Sequence, residues 1–241
     1  MNTLTSNPVI PWLMLASRTL LFAVFQLFIA GALALTGSST PWDDSAGWWM
    51  LSALFTNLVS ITLLIWLSHR ENRRYFDFIH FSRQTMWNDI GIAILLMIAI
   101  VPLAMYPNQW LANLLFGSDE VVFSLLFRPL PLWAGLASIL FPVTIAFAEL
   151  PTYFGYVMPR LEARLGNSWI AWGTASLFLA LQHLTLPLIF DWRFMLWRLG
   201  MFIPLAFFLG ACLKLRPQLF LYLMISHALL DMLTVVMILT L

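Results

Sequence analysis

The sequence predicts an all-α fold: a polytopic membrane helix bundle of about seven transmembrane helices, with additional interfacial or re-entrant segments. Two features of the composition predict it, because 61% of the 241 residues are hydrophobic and only 10% are charged. About a quarter of the residues of a soluble domain are charged, so this chain cannot cover a water-facing surface. The third feature is length, which at roughly 20 residues per span suits a single membrane domain, 1–241.

The apolar residues fall into runs that predict spans at 11–35, 48–67, 90–105, 132–158, 168–184, 194–213 and 219–241. The first run lacks a basic leader and is longer than the apolar part of a signal peptide, so we expect a retained span. Arg18 lies one to two turns into it, and we expect its guanidinium to extend to the membrane interface. The stretch 108–131 is apolar but split by the sequence GSDE, which indicates interfacial or re-entrant pieces.

The distribution of basic residues predicts the orientation, because cytoplasmic loops favour Lys and Arg. With the N-terminus inside, the predicted inner loops contain Arg70, Arg73, Arg74, Arg83, Arg160, Arg164, Lys214 and Arg216. The predicted outer loops contain Arg128, Arg193 and Arg198. The sequence therefore predicts an N-in, C-out protein, and its net charge of +1 gives no indication of a nucleic-acid partner.

Four ionisable side chains lie well inside predicted spans: Glu149, His183, His227 and Asp231. A charged residue at the centre of a membrane helix costs roughly 2.5–3.5 kcal/mol on insertion scales, so each needs a polar partner or a function. At about 1.5 Å per residue, the four lie roughly 14–22 Å from the inner ends of their spans. His227 and Asp231 are four residues apart and share one helix face. The spacing therefore predicts one buried cluster that faces the bundle interior.

Each of these residues also has an explanation that involves no function. His183 lies near the end of its span, where a histidine can be satisfied at the membrane interface. Asp231 can accept a hydrogen bond from a hydroxyl on another helix, and His227 and Asp231 can bond only to each other. Glu149 is the hardest to explain in this way, because its own segment offers no neighbouring base.

Two carboxylates and two imidazoles fit three kinds of chemistry. All four can serve as ligands of a divalent metal such as zinc in a hydrolytic site, although the chain contains no H-E-x-x-H motif. Alternatively no cofactor is required: Glu149 acts as general base on a water held jointly with a histidine, while the second histidine and its partner polarise the scissile carbonyl. The third is a proton or ion relay, since chains of Asp, Glu and His also mark transport pathways.

Three segments, within about Ala148–Met232, resemble the motifs of a known protease family. AELPTYFGYVMPRLEARLG is similar to a first motif that runs Glu-Glu-x-x-x-Arg-Gly and ends in a Pro-Arg-Leu-like sequence. SLFLALQHL is similar to a second motif, an apolar helix that ends in His. FFLGACLKLRPQLFLYLMISHALLDML is similar to a third, with a Gly-containing helix, a basic turn and His-x-x-x-Asn/Asp. In this order the segments resemble the CPBP intramembrane proteases, also called the Abi or type II CAAX prenyl endopeptidase family.

The resemblance implies an intramembrane endopeptidase with a CPBP-like core at 131–241. By position, it implies that Glu149 and His183 activate the water and that His227 with Asp231 binds the carbonyl. It further implies a small membrane-associated or lipidated peptide substrate, a surrounding of membrane lipids and a location in the bacterial cytoplasmic membrane. The family has been described both as metalloproteases and as glutamate-dependent enzymes, so the resemblance is compatible with zinc or with no cofactor.

The first motif departs from the family pattern at two positions. Aligning Gly155 with the motif glycine places Leu150 at the second Glu and Phe154 at the Arg. Pro151 also enters this helix, where it removes a backbone donor and permits a kink. Losing Glu and Arg together is losing a pair, since either alone would bury an unpaired charge. Two hypotheses follow: an endopeptidase without this ion pair, and a non-catalytic membrane protein of the same fold that serves immunity, partner binding or transport.

Overall fold

The computed structural model describes residues 7–239, apart from the side chain of residue 238, and all regular elements in that range are helical. The α-helices are α1 Ile10–Leu35, α2 Pro41–Ala46, α3 Trp49–Arg70, α4 Met86–Phe116, α5 Asp119–Leu126, α6 Leu132–Ala137, α7 Leu140–Leu150, α8 Met158–Leu165, α9 Ser168–Leu181, α10 Trp192–Leu215 and α11 Phe220–Leu239. A π-helix, Pro151–Val157, joins α7 to α8. Short 3-10 turns lie at Tyr75–Phe78, Gln182–Thr185 and Pro217–Leu219. The first six residues of the predicted leaderless N-terminus and the last two of the predicted final span lie outside the described residues.

Five helices in the described part of the chain are long and apolar enough to cross a membrane. They are α1, α3, α4, α10 and the run Pro217–Met237, which contains most of α11. The all-helical prediction is therefore confirmed, and the five helices are those expected of an integral membrane protein. The count of seven spans, the N-in orientation and the single-domain assignment stay predictions.

The predicted third span, 90–105, is part of a much longer helix. The stretch 108–116 continues α4 past two internal prolines instead of forming an interfacial piece. A neighbouring helix holds this extension, because the indole N–H of Trp197 on α10 donates to the backbone and side-chain oxygens of Asn108, at 3.2 and 3.0 Å. α4 ends at Phe116, and the φ of 78° at the following Gly117 lies in the left-handed region that closes many helices.

The predicted fourth span, 132–158, is interrupted near its start and continues beyond its predicted end. α6 ends at Ala137, beside Ser138, whose hydroxyl donates to the carbonyl of Ala134 at 2.9 Å. The backbone N–H of Ser138 donates to the same carbonyl at 3.0 Å, so a short turn joins α6 to α7. From α7 onward the backbone stays helical through the π-helix and α8 to Leu165.

Pro151 sets the local geometry of the helix that carries Glu149. In an α-helix the amide of residue 151 would donate to the carbonyl of Phe147, but proline has no N–H. The hydroxyl of Tyr75, in the 3-10 turn between α3 and α4, donates to this carbonyl instead. The segment in which the sequence permits a kink is thus a π-helix, supported by a side chain from another element.

The largest apolar core surrounds the π-helix. Its buried residues Tyr153, Phe154 and Val157 belong to one cluster with residues of α9, α10 and α11. Phe154 lies so close to α10 that a Cβ atom at Gly210 would sit 2.7 Å from its ring. This packing holds the π-helix, and with it the adjacent Glu149, against the helices that carry the other predicted site residues.

Candidate functional site

Glu149 lies in the last turn of α7, immediately before the π-helix, and is 1% exposed. Its Oε2 accepts a hydrogen bond from Nε2 of Gln182 at 2.6 Å. Nη2 of Arg18 lies 3.8 Å from the same oxygen. The other oxygen, Oε1, lies 3.4 Å from Nε2 of His227. Both oxygens of this buried carboxylate therefore face nitrogen donors, as a charge removed from water requires.

Arg18 is fully buried in α1 and connects several elements through its guanidinium. Its Nε donates to Oε1 of Gln182 at 2.7 Å. Nη1 donates to Ser60 at 3.3 Å and Nη2 to Asn57 at 3.0 Å, both on α3. Because a guanidinium only donates, the amide oxygen of Gln182 must face Arg18 and its NH₂ must face Glu149. Gln182 therefore bridges the cation and the carboxylate.

The prediction that Arg18 extends to the membrane interface is wrong. A long basic side chain snorkels when its charged head reaches water, whereas this guanidinium is 0% exposed. Asn57 and Ser60 supply acceptors inside the bundle, so the head group is satisfied there. The segment of Glu149 lacks a neighbouring base, as its sequence indicates, but α1 supplies one from the other end of the chain.

His227 and Asp231 are neighbours on α11, as their spacing predicts. Nε2 of His227 lies 3.2 Å from Oδ2 of Asp231 and 3.4 Å from Oε1 of Glu149. A nitrogen placed between two carboxylates carries the proton, because ionised carboxylates can only accept. The imidazole thus joins carboxylates from α7 and α11, and three of the four predicted residues are in contact.

His183 lies in the 3-10 turn that follows α9 and is 7% exposed. Its Nδ1 lies 2.9 Å from the carbonyl of Leu179, which can only accept, so Nδ1 carries a proton. The ring stacks on Phe202, with centroids 3.5 Å apart and planes 14° apart. Across residues 7–239 the imidazole makes no hydrogen bond to Glu149. The predicted Glu149–His183 pair is therefore not a direct contact.

Arg198 supports the backbone that carries His183. The sequence assigns this arginine to an outer loop, but it lies in the second turn of α10 and is 5% exposed. Its Nε donates to the carbonyl of His183 at 3.3 Å, and its Nη2 donates to the carbonyl of Leu186. Two backbone acceptors thus hold the guanidinium inside the bundle, so Arg198 does not count among the outer-loop bases that predict orientation.

One cavity of about 690 Å³, named here the Glu149 cavity, is lined by all four predicted residues: Glu149, His183, His227 and Asp231. Much of the remaining wall is apolar and includes Ile100, Phe202, Leu205, Leu209 and Leu223. A concave apolar space with a few converging polar groups is the usual form of a ligand site. The carboxylate of Glu149 can accept a proton there, and the N–H of His227 can donate a hydrogen bond.

The same four residues do not form a metal site as they are placed. Among the described residues, no three side chains of His, Cys, Asp or Glu are arranged to hold an ion. Two nitrogens explain this: Nε2 of His227 faces two carboxylates at hydrogen-bond distance, and Nδ1 of His183 bonds to the backbone. The zinc alternative stays a prediction.

Two residues that contact Glu149 are not predicted from the sequence: Arg18 and Gln182. The signal for Arg18 is the same as for Glu149, namely a charge well inside an apolar span that needs a partner. Gln182 directly precedes His183 in an otherwise apolar segment, and a buried amide also needs partners. In both cases the residue type shows the need, whereas only the packing of α1 against the Gln182–Thr185 turn identifies the partner.

Comparisons of the chain with protein-family models, with curated proteins and with solved structures find no match. The resemblance to CPBP proteases therefore rests on the motif residues alone. The chemistry of the site has to be argued from its own geometry.

Proposed function

We propose that this chain is an intramembrane endopeptidase that hydrolyses a peptide bond in a membrane-associated, apolar or lipidated peptide. The observation that carries the proposal is the Glu149 cavity, whose largely apolar wall also presents four ionisable side chains. The cavity lies in a helical bundle that has five candidate membrane spans. An apolar wall suits a substrate that comes from the membrane. The resemblance of the same four positions to the CPBP motifs supports the assignment.

Glu149 is the proposed general base. It takes a proton from a water molecule while the water oxygen attacks the scissile carbonyl carbon. His183 carries its proton on Nδ1, which leaves Nε2 as an acceptor that can orient the same water. This division of roles needs no direct bond between Glu149 and His183, because both line one cavity.

His227 is the proposed donor to the oxyanion. Its Nε2–H lies between two carboxylates, and Asp231 stabilises positive charge on the ring. When Glu149 gains the proton of the water, its attraction for His227 falls, so the N–H can turn to the oxyanion. Glu149 then passes the proton to the leaving amine as the C–N bond breaks, which yields one new carboxyl and one new amino terminus.

Arg18 and Gln182 are the proposed positioning residues. They hold Oε2 of Glu149 through the amide bridge, so the carboxylate keeps one orientation without losing Oε1 to the same partners. In the resembling family a motif Arg occupies the position of Phe154, which is buried in the apolar core here. The guanidinium of Arg18 reaches Glu149 from another helix and takes over the supporting charge.

The test uses the full chain in lipid nanodiscs with a library of membrane-embedded peptides, each made with and without a C-terminal farnesyl group. New peptide termini are counted by mass spectrometry for the wild type, Glu149→Gln, Glu149→Asp and Asp43→Asn. A general base contributes about 100-fold or more, so both Glu149 variants should lose at least that factor. Asp43 is exposed and does not line the cavity, so its variant serves as a charge-matched control.

Melting temperatures of the same samples separate loss of chemistry from loss of fold. Glu149→Asp keeps the negative charge opposite Arg18, so a slow but folded Glu149→Asp protein supports the base role. The proposal is wrong if the wild type releases no termini from any peptide, or if Glu149→Gln cleaves as fast as Asp43→Asn.

A second candidate is a non-catalytic membrane protein of the same fold that serves immunity, partner binding or transport. It is favoured by the saturation of Glu149, whose two oxygens already face Gln182, Arg18 and His227. Restoring the family pair with Leu150→Glu and Phe154→Arg discriminates between the two. Cleavage that appears only in this double variant supports the second candidate, whereas cleavage by the wild type excludes it.

A further inference from the structure

A second cavity, of about 370 Å³, lies apart from the Glu149 cavity and is named here the basic cavity. It is formed by the ends of several helices together with the 3-10 turn Tyr75–Phe78. Its polar lining includes Arg73, Arg74, Asp77, His80, Arg160, Glu162 and Lys214. Its apolar lining includes Leu64, Phe154, Met158, Leu213 and Phe220. The cavity thus combines a charged part with an apolar part.

The cations of this cavity are incompletely neutralised. Arg160 is already paired, because its guanidinium bonds to both oxygens of Glu71. Arg73 and Arg74 are exposed, and within the described range their side chains make no ion pair. Nζ of Lys214 lies 4.6 Å from the ring centroid of Trp169, a contact that leaves its positive charge in place.

Two carboxylates face these three cations. Asp77 is partly engaged, since one of its oxygens accepts the backbone N–H of Arg74 at 2.9 Å. Glu162 is exposed on α8 and makes no ion pair with a described residue. With Arg73, Arg74 and Lys214 against these two acids, the cavity keeps an excess of positive charge. An anion with several acceptor oxygens would neutralise this charge and accept hydrogen bonds from the guanidinium and ammonium groups.

The position of the cavity indicates where that anion comes from. Three candidate spans begin or end around it: α3 ends at Arg70, α10 ends at Leu215 and the last span starts at Pro217. Helix ends of this kind lie at the depth of lipid headgroups, where basic pockets between helices bind anionic phospholipids. The apolar part of the lining offers a surface for the lipid's glycerol and first methylenes.

We propose that the basic cavity binds the phosphate headgroup of an anionic phospholipid through Arg73, Arg74 and Lys214. The site is separate from the Glu149 cavity and does not depend on proteolytic activity. Because the π-helix residues Phe154 and Gly155 also line it, bound lipid would stabilise the helix that carries Glu149.

The test compares melting temperatures of the full chain in nanodiscs of phosphatidylcholine alone and of phosphatidylcholine with phosphatidylglycerol. Arg73→Gln combined with Arg74→Gln removes two cavity cations. Arg83→Gln combined with Arg164→Gln removes the same charge from exposed bases outside the lining, and serves as the matched control. Native mass spectrometry of each sample counts phosphatidylglycerol molecules that stay bound, and a further sample in phosphatidylcholine receives millimolar inorganic phosphate.

The wild type and the control should gain melting temperature with phosphatidylglycerol and keep bound lipid, while the cavity variant should lose more than half of both. The proposal is overturned if phosphatidylglycerol gives the wild type no gain. An equal loss in both double variants would show diffuse surface attraction instead of a site. A gain that inorganic phosphate reproduces in full would identify a soluble anion as the ligand and also reject the lipid.

Discussion

The Glu149 cavity and the basic cavity are both lined by the continuous helical segment of α7, the π-helix and α8, but they differ in how their charged side chains are paired. In the first, Glu149 faces a bridging amide, a guanidinium and an imidazole that come from three other parts of the chain. In the second, Arg73 and Arg74 are exposed and make no ion pair with described residues. The charge of Glu149 is therefore compensated by side chains of the bundle, whereas the charges of Arg73 and Arg74 are not compensated by any described residue.

The difference follows from what surrounds each site. Deep in a membrane bundle neither water nor lipid supplies hydrogen bonds, so every buried charge needs a partner within the protein. At the ends of the helices, water and lipid headgroups reach the side chains, so a basic side chain there needs no partner within the protein and can bind an external anion. We therefore expect substitutions at the deep site to alter stability strongly, and those at the exposed ends to act weakly or through lipid.

The largest effect on stability is expected from Arg18→Met. The substitution removes the guanidinium that faces the buried Glu149 carboxylate and should lower the free energy of unfolding by about 3–5 kcal/mol. Adding Glu149→Gln removes the uncompensated charge, so the double variant should recover more than half of the loss. Chemical unfolding in mixed micelles measures all three proteins, together with Arg193→Met as a control at an exposed ion pair. Equal losses from Arg18→Met and Arg193→Met would break the contrast between deep and exposed charges.

The helices themselves could largely be predicted from hydropathy. The predicted span 194–213 lies within α10, Trp192–Leu215, and the start of the last span is off by one residue. The main errors occur where a tertiary contact overrides the local pattern. Prolines and polar residues indicate an end near residue 106, but the bond from Trp197 to Asn108 supports a helix that continues to Phe116.

The site could be predicted only in part. The energy needed to bury a charged side chain can be estimated from its own segment, but the residue that pairs with it can lie anywhere in the chain. The expense of burying Glu149 can be estimated from its own segment, and so can the shared face of His227 and Asp231. The partner Arg18 is 131 residues away in sequence (149 − 18), and nothing local connects the two. The same holds for the bond between the Tyr75 hydroxyl and the carbonyl that Pro151 leaves free.

An intermediate effect is expected from Tyr75→Phe, which cuts a link between the two cavities. Tyr75 lines the basic cavity, and its hydroxyl donates to the carbonyl of Phe147, two residues before Glu149. Burial raises the pKa of the Tyr75 phenol, so it keeps its proton at pH values where a free tyrosine ionises. Removing this hydroxyl should cost about 0.5–1.5 kcal/mol of unfolding free energy, because the carbonyl of Phe147 loses the hydrogen bond that stands in for the missing amide donor of residue 151.

The double-mutant cycle with Pro151→Ala tests the reason for that cost. Alanine supplies the missing amide at residue 151, so Tyr75→Phe should cost less in this background than in the wild type. Tyr222→Phe is the matched control, because the Tyr222 hydroxyl is buried but makes no hydrogen bond within the described residues. If Tyr75→Phe and Tyr222→Phe cost the same, or if Pro151→Ala leaves the Tyr75 cost unchanged, the link is not a supporting bond.

The smallest effect is expected at the exposed pair of Asp191 and Arg193. Asp191 is the residue before α10, and Arg193 lies in its first turn. Nη2 of Arg193 lies 2.8 Å from the Asp191 carboxylate, and the hydrogen bond from Arg193 lowers the pKa of this carboxyl below its ordinary value. A depressed pKa in the folded protein stabilises the fold above the unfolded pKa of about 3.9, and this contribution is lost as the pH falls through the folded value.

Asp191→Asn keeps a helix-capping side chain but removes the charge. Its melting temperature should therefore be slightly below that of the wild type at neutral pH, and the gap should close in acid and narrow in high salt. Asp43→Asn, which removes an exposed carboxylate that makes no ion pair with a described residue, should show no such closing gap. A gap for Asp191→Asn that is constant from neutral to acid pH would mean that capping, not charge, carries the stabilisation at this exposed end.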